Sequence, residues 1–115
     1  MGYYIELLKD GNTAKVENHS EGGTFAIGGR EEAAISVTYN YSPFYRKHLD
    51  KEKGLRWLYV KTGAATVERL EKAIEALGVE TSDNYWEPTP GNAGHALSVL
   101  LRWAKEHPDA VWEGD

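Results

Sequence analysis

Cysteine is absent from the 115-residue chain, methionine occurs once and phenylalanine twice. Without thiols there can be no disulfide, no thiolate zinc site and no cysteine nucleophile, and that absence suits a reducing compartment. Long apolar runs are missing as well: no stretch approaches the roughly 18 uninterrupted apolar residues that a membrane span requires. The opening residues, Met1-Gly2-Tyr3-Tyr4-Ile5-Glu6, hold neither the basic segment nor the apolar core of a signal peptide. Glu6 stands where a myristoylation signal needs Ser or Thr. The expectation is a cytoplasmic protein without a membrane partner.

Signatures of chemistry are equally scarce. Lys61-Thr62-Gly63 lacks the GxxxxGK[ST] spacing of a phosphate loop, and Gly22-Gly23 and Gly28-Gly29 read as turn glycines. The histidines His19, His48, His95 and His107 form no HxH or HExxH pair, so no metal site and no cofactor is expected. Ser20, Ser36, Ser42, Ser82 and Ser98 sit in no elbow or triad context. No catalytic residue is assigned, and binding is favoured over catalysis.

What is present fits one domain spanning residues 1–115. The length is near the commonest domain size, and 41% apolar residues suffice for a core. The net charge of −5 disfavours nucleic acid as the main partner. Its distribution is uneven: residues 1–45 sum to −3, residues 46–61 to +4 and residues 68–115 to −6. The central island of Arg46, Lys47, Lys51, Lys53, Arg56 and Lys61 reads as a solvated loop, or as an attractor for a phosphate or an acidic partner.

Tyr3 to Leu8 reads as a strand, Asp10-Gly11-Asn12 as a turn, and Ala14 to Glu17 as the returning strand. Thr24 to Ile27 suggests a short third strand. From Ala33 to Tyr41, the apolar Ile35, Val37, Tyr39 and Tyr41 alternate with Ser36, Thr38 and Asn40, which predicts a strand with one core face. These four strands, joined by short connections, suggest a meander. After Pro43, Phe44 to Leu49 is expected to make a helical turn, and Leu55 to Val60 a short helix in preference to a strand.

Two main helices follow. The first is predicted with Thr66 as N-cap, Glu68 at the positive end of its dipole and Gly78 at its end; Val67, Leu70, Ala73-Ile74 and Leu77 form its stripe. The second opens near Thr89-Pro90 or Asn92 and stops before Pro108, with Ala93, Ala96-Leu97, Leu100-Leu101 and Ala104 facing the core. Val111 and Trp112 are expected to dock the tail back. Strands preceding helices imply an α+β fold, an antiparallel sheet of about four strands covered on one face by the two helices.

Two clusters could carry a site. One surrounds the predicted strand end and offers Tyr39, Asn40, Tyr41, Tyr45 and Arg46, aromatic faces beside an amide and a guanidinium. The other leads into the second helix and offers Trp86, Glu87, Asn92 and His95, where Gly91 and Gly94 would permit close approach to free helix N–H groups. Core packing and helix capping are the competing explanations for both. Gly94 within a helical run costs about 1 kcal/mol relative to Ala, which implies close packing or a ligand against it. Glu87 and His95 could also meet as an acid–base pair.

Certain residues resemble a known group. Thr38-Tyr39-Asn40-Tyr41-Ser42, Gly54-Leu55-Arg56 with Leu58-Tyr59, Lys61-Thr62-Gly63, Asp83-Asn84-Tyr85-Trp86-Glu87, Gly91-Asn92-Ala93 and the stretch from Pro108 to Asp115 are similar to short uncharacterised proteins of phages, prophages and some microbial genomes. The likeness covers roughly the last two-thirds of the chain. It implies a setting, a small accessory protein of a phage or mobile element, and carries no residue role.

The leading expectation is therefore an interaction module that engages a protein partner or a second copy of itself. The alternative is a site that binds or hydrolyses a small phosphate-bearing ligand such as a nucleotide, using Tyr39, Asn40, Tyr45, Arg46, Asn92 and His95. Either needs the stretches 39–48 and 84–95 to adjoin.

Overall fold

The computed structural model describes residues 2–19 and 30–115. The centre of the fold is strand β1 (Gly2–Lys9), in which Tyr3, Ile5 and Leu7 point into the core and Tyr4, Glu6 and Leu8 face the other way. This is the period-two pattern expected of a sheet with one buried face. Asp10 and Gly11 both take positive φ, 54° and 83°, as a tight hairpin turn of matching twist requires. The chain then returns as β2 (Asn12–Thr13), pairing Leu8 with Thr13 and Lys9 with Asn12.

At Ala14 the hairpin leaves the sheet. Strands β3 (Lys15–His19) and β4 (Arg30–Glu32) form their own antiparallel ribbon, and β5 (Ala34–Thr38) comes back beside β1. Three backbone bonds close this junction: Leu7 N–H to Ala33 O, Ala14 N–H to Leu7 O, and Ala33 N–H to Ala14 O, all of 2.8–2.9 Å. Strands β2 and β5 thus follow one another along a single edge of β1. The other edge is taken by β6 (Val111–Gly114), antiparallel, with Leu7 opposite Trp112.

The arrangement is therefore an antiparallel sheet of about four strands with helices, an α+β fold. It is not a meander, because the strand completing the sheet comes from the far end of the chain. The strand expected over Thr24 to Ile27 lies outside the described residues. The strand expected to reach Tyr41 ends at Thr38, whose hydroxyl accepts the Asn40 N–H at 3.2 Å and turns residues 39–41 into a 3₁₀ turn. Helix α1 (Ser42–His48) follows directly, with Pro43 in its first turn, where a missing N–H costs nothing. A second 3₁₀ turn covers Gly54–Leu58, the short helix expected there.

Helices α2 (Gly63–Leu77) and α3 (Pro90–Glu106) pack against each other, burying Leu70, Ala73 and Leu77 of α2 with Ala93, Leu97, Leu100 and Ala104 of α3. The cap of α2 is Thr62, not Thr66: the Thr62 Oγ1 accepts the Ala65 N–H at 3.2 Å. Thr66 is a fully buried interior residue whose hydroxyl donates to Gly63 O at 2.8 Å and accepts the Trp112 indole N–H at 3.0 Å. With the start moved back, Glu68 lies beyond the first turn and instead pairs with Lys72 at 3.4 Å on the surface. Gly78 ends α2 at φ 79°, and Thr89 caps α3 by accepting the Asn92 N–H at 3.1 Å. No described helix is long and apolar enough to cross a membrane.

The cost of Gly94 has its reason in packing. A Cβ there would overlap the carbonyl oxygen of Gly78, and one at Gly91 would overlap that of Glu80. The strand of chain leaving α2 thus lies directly on the first turns of α3. In an open helix, Gly94→Ala would stabilise by about 1 kcal/mol; here the sign reverses, and a loss of about 1–3 kcal/mol is expected from overpacking against backbone. Urea unfolding monitored by circular dichroism reads the sign directly, and a gain in midpoint would contradict this packing.

Candidate functional site

The two stretches singled out by composition do adjoin. Residues 78–89 form neither helix nor strand, and polar side chains from the β5–α1 corner hold them in place. Asn40 Nδ2 donates to Trp86 O at 2.9 Å, and the Tyr41 hydroxyl donates to Tyr85 O. Tyr45 OH donates to Ala93 O at 3.0 Å. The Tyr85 hydroxyl in turn accepts the Thr38 N–H at 3.0 Å and donates to Ser36 O at 3.2 Å, attaching the loop to β5. The rings follow: Tyr41 meets Tyr85 edge to face at 5.6 Å and Tyr45 at 6.3 Å, and Tyr85 meets Trp86 at 5.1 Å.

Asn92 holds the same loop from the helix side. Buried in the first turn of α3, it accepts the Ser82 N–H through Oδ1 at 2.9 Å. Its Nδ2 lies within 2.9–3.1 Å of Ser82 Oγ, Asn84 O and Glu87 O. An amide in that position gives the part-buried Ser82 N–H its acceptor and adds a donor to the Asn84 and Glu87 carbonyls.

These contacts divide the candidate residues. Tyr41, Tyr45 and Asn92 are interior, and their polar atoms are committed to backbone groups of the fold. Tyr39, Asn40, Arg46, Trp86 and Glu87 are exposed, and His95 is half-buried on α3. Two further residues meet this group, Arg56 at the surface and Tyr3 buried beneath it. Tyr3 stacks edge to face on Tyr39 at 4.7 Å, and the Arg56 guanidinium lies 4.9 Å from the Tyr3 ring and 5.9 Å from that of Tyr39. The Arg56 Nε donates to Asp115 O at 3.0 Å, which orients it. No local signal in the sequence links Arg56 to a tyrosine 17 positions before it.

A second polar surface surrounds Trp57. Lys61 Nζ lies 4.5 Å from the indole centroid and donates to Trp57 O at 2.6 Å, while the Arg69 guanidinium lies 4.4 Å from the same ring and donates to Leu49 O at 3.1 Å. Lys53 stands near Lys61. Burial, and then the charges of Lys53 and Arg69, hold the Lys61 ammonium below its usual range. Asp50 Oδ2 accepts the N–H groups of Lys53 and Glu52, at 2.7 and 3.1 Å, and these bonds keep its carboxyl below the ordinary range.

Among the described residues no group of three or more His, Asp or Glu side chains is gathered to hold a metal. One open cleft of about 590 Å³ runs beside Gly78 to Ser82 and Thr89 to Gly91, on the α2 side of the pinned loop. Another, of about 720 Å³, lies by the β1–β2 hairpin and His107, whose Nε2 is 2.7 Å from Lys15 O. No family model matches the chain, and no curated protein or solved structure matches it.

Two outcomes are expected. Asn92→Ala leaves the Ser82 amide without a partner and removes one of the donors to the Asn84 and Glu87 carbonyls, which costs about 1–3 kcal/mol and should shift Trp86 emission as the loop loosens; unchanged emission with unchanged stability would remove Asn92 from this role. The second concerns pH. Burial raises the phenols of Tyr41, Tyr45 and Tyr85 above the ordinary value of 10.0 and that of Tyr59 to about 12. Above pH 10 the folded chain then holds more protons than the unfolded one, so stability is complete below about pH 10 and falls as the pH rises. Denaturation midpoints flat to pH 9 and declining beyond 10 are expected, with tyrosinate absorbance appearing together with unfolding.

Proposed function

We propose that the protein is a small interaction module whose binding face is the exposed group of Tyr39, Asn40 and Trp86, flanked by Arg56, Arg46 and Glu87, with the buried Tyr3 packed under Tyr39. The observation that carries this reading is the Asn40–Trp86 hydrogen bond, which joins strand end and loop so that two aromatic rings, 37% and 36% exposed, belong to one surface. Beneath them, Tyr41, Tyr45 and Tyr85 fix the backbone. Large aromatic side chains held rigid before contact, with an arginine beside them, are what interface anchors consist of, because little side-chain freedom is lost on docking.

A partner protein, or a second copy of the chain, is the occupant such a face suits. The similarity of the motifs from Thr38 to Asp115 to short phage and mobile-element proteins supports the setting of an accessory factor acting on a host protein. A phosphate-bearing small ligand is less well served, since Tyr45 and Asn92, two groups that would hold it, are committed to internal bonds.

The double variant Tyr39→Ser/Trp86→Ser tests the proposal. Both rings lie at the surface, so folding should be retained, as judged by circular dichroism and thermal unfolding. The sedimentation behaviour and the set of partners captured by the immobilised protein are then compared with wild type. Loss of self-association or of a specific partner is expected. A folded variant with both unchanged would end this reading.

A further inference from the structure

Lys61 and Arg69 lie over the Trp57 ring with Lys53 near Lys61, and among the described residues none of the three forms an ion pair. One acid, Asp50, acts electrostatically on all three, and its Oδ2 is committed to the amides of its own loop, so the patch keeps a net positive charge. Beside Lys61 stands Val60, with φ at 60° and 77% of its surface exposed. A β-branched residue in the left-handed region is a true outlier, costing about 1–3 kcal/mol, and such strain concentrates where a protein contacts something else. Here the Val60 N–H donates to Trp112 O and the Trp112 N–H to Lys61 O, both at 2.9 Å, so the tail strand enforces the conformation and turns an apolar side chain into water.

We propose that this face docks a short acidic segment of a partner protein, its carboxylates meeting Lys53, Lys61 and Arg69 and an apolar side chain resting on Val60. Charge complementarity identifies the occupant. Lys61 and Arg69, held over the Trp57 ring, lose little freedom on binding carboxylates, and the part-buried Lys61 ammonium gains most from a counter-charge. A long polyanion is disfavoured, because the rest of the chain is acidic and residues 68–115 alone sum to −6. At physiological salt repulsion acts over about 8 Å, so a segment of a few residues reaches the patch without meeting it. The inference stands apart from the Tyr39–Trp86 face, since it uses none of those residues.

The test is fluorescence anisotropy with a labelled octa-glutamate peptide carrying one leucine, at low and at physiological salt. Wild type should bind, more weakly as salt rises. Lys53→Gln, whose side chain supports no backbone group, should weaken binding about threefold, and Lys53→Gln/Lys61→Gln/Arg69→Gln by about tenfold or more. Tyr39→Ser/Trp86→Ser should bind the peptide as wild type does, which separates failure here from failure of the other face. No binding by wild type, equal binding by a folded Lys53→Gln variant, or tighter binding of a single-stranded oligonucleotide of equal charge would overturn the proposal.

Discussion

The Tyr39–Trp86 face of this protein depends on one constraint: residues 78–89 have no secondary structure of their own, so side chains of neighbouring elements must satisfy part of their backbone groups. A helix or strand would pair those groups internally. Here the work passes to Asn92 from one side and to Asn40 and Tyr41 from the other, while Tyr85 of the loop bonds back to β5. Hydrogen bonds that reach a loop from two separate elements fix its position more tightly than contacts along the loop could. Where these bonds are part-buried, leaving one unmade is costly. Gly91 and Gly94 add the steric half of the constraint by letting the backbone at Glu80 and Gly78 lie directly on α3. Trp86 is consequently an anchored side chain at the surface, although it sits in irregular chain.

Much of this was readable from the residues, and the misreadings share a cause. The alternation of Ile35 and Val37 marked a real strand, but the pattern continued through Tyr39 and Tyr41 after the strand had ended. An aromatic can reach the core from a 3₁₀ turn as well as from a pleat, and the Thr38 hydroxyl decided between them. Thr62 and Thr66 are one helical turn apart, and either could cap α2. What excludes Thr66 is its bond to Trp112, 46 positions away. The meander failed for the same reason: Val111–Gly114 is too short to declare itself a strand, and only the free edge of β1 makes it one. The helix ends at Gly78 and Thr89 were legible because their determinants are local.

The segment between α1 and α2 shows how one short element can serve two surfaces. The turn Gly54–Leu58 buries Leu55 and Leu58 while sending Arg56 to the tyrosines of the β1–β5 corner and Trp57 to the cations of the α2 side. Lys61-Thr62-Gly63, without phosphate-loop geometry, joins these surfaces to the tail: Gly63 donates to Ala110 O at 2.8 Å, and any Cβ there would press on the carbonyls of Ala104 and His107. The last strand therefore sets the conformation of Val60 and Lys61 as well as closing the sheet.

Aromatic abundance alone could not have separated surface from core in this chain. Trp103 and Trp112 are sealed in the interior, as are Tyr41 and Tyr45, while Tyr39 and Trp86 keep a third of their surface in water. The difference lies in what each polar tip can reach. Tyr41 and Tyr45 find backbone carbonyls inside the fold, and the Trp112 indole finds the Thr66 hydroxyl. A phenol that reaches such an acceptor can be buried whole, and among the described residues the Tyr59 hydroxyl, buried without a partner, is the exception. At Tyr39 the ring packs on Tyr3 and beneath Arg56 but remains at the surface, so its apolar face is already ordered and still open to contact. An exposed aromatic that its neighbours hold rigid is better suited to docking than one that is merely solvent-facing, because the ordering a partner would have to impose has been done by the fold.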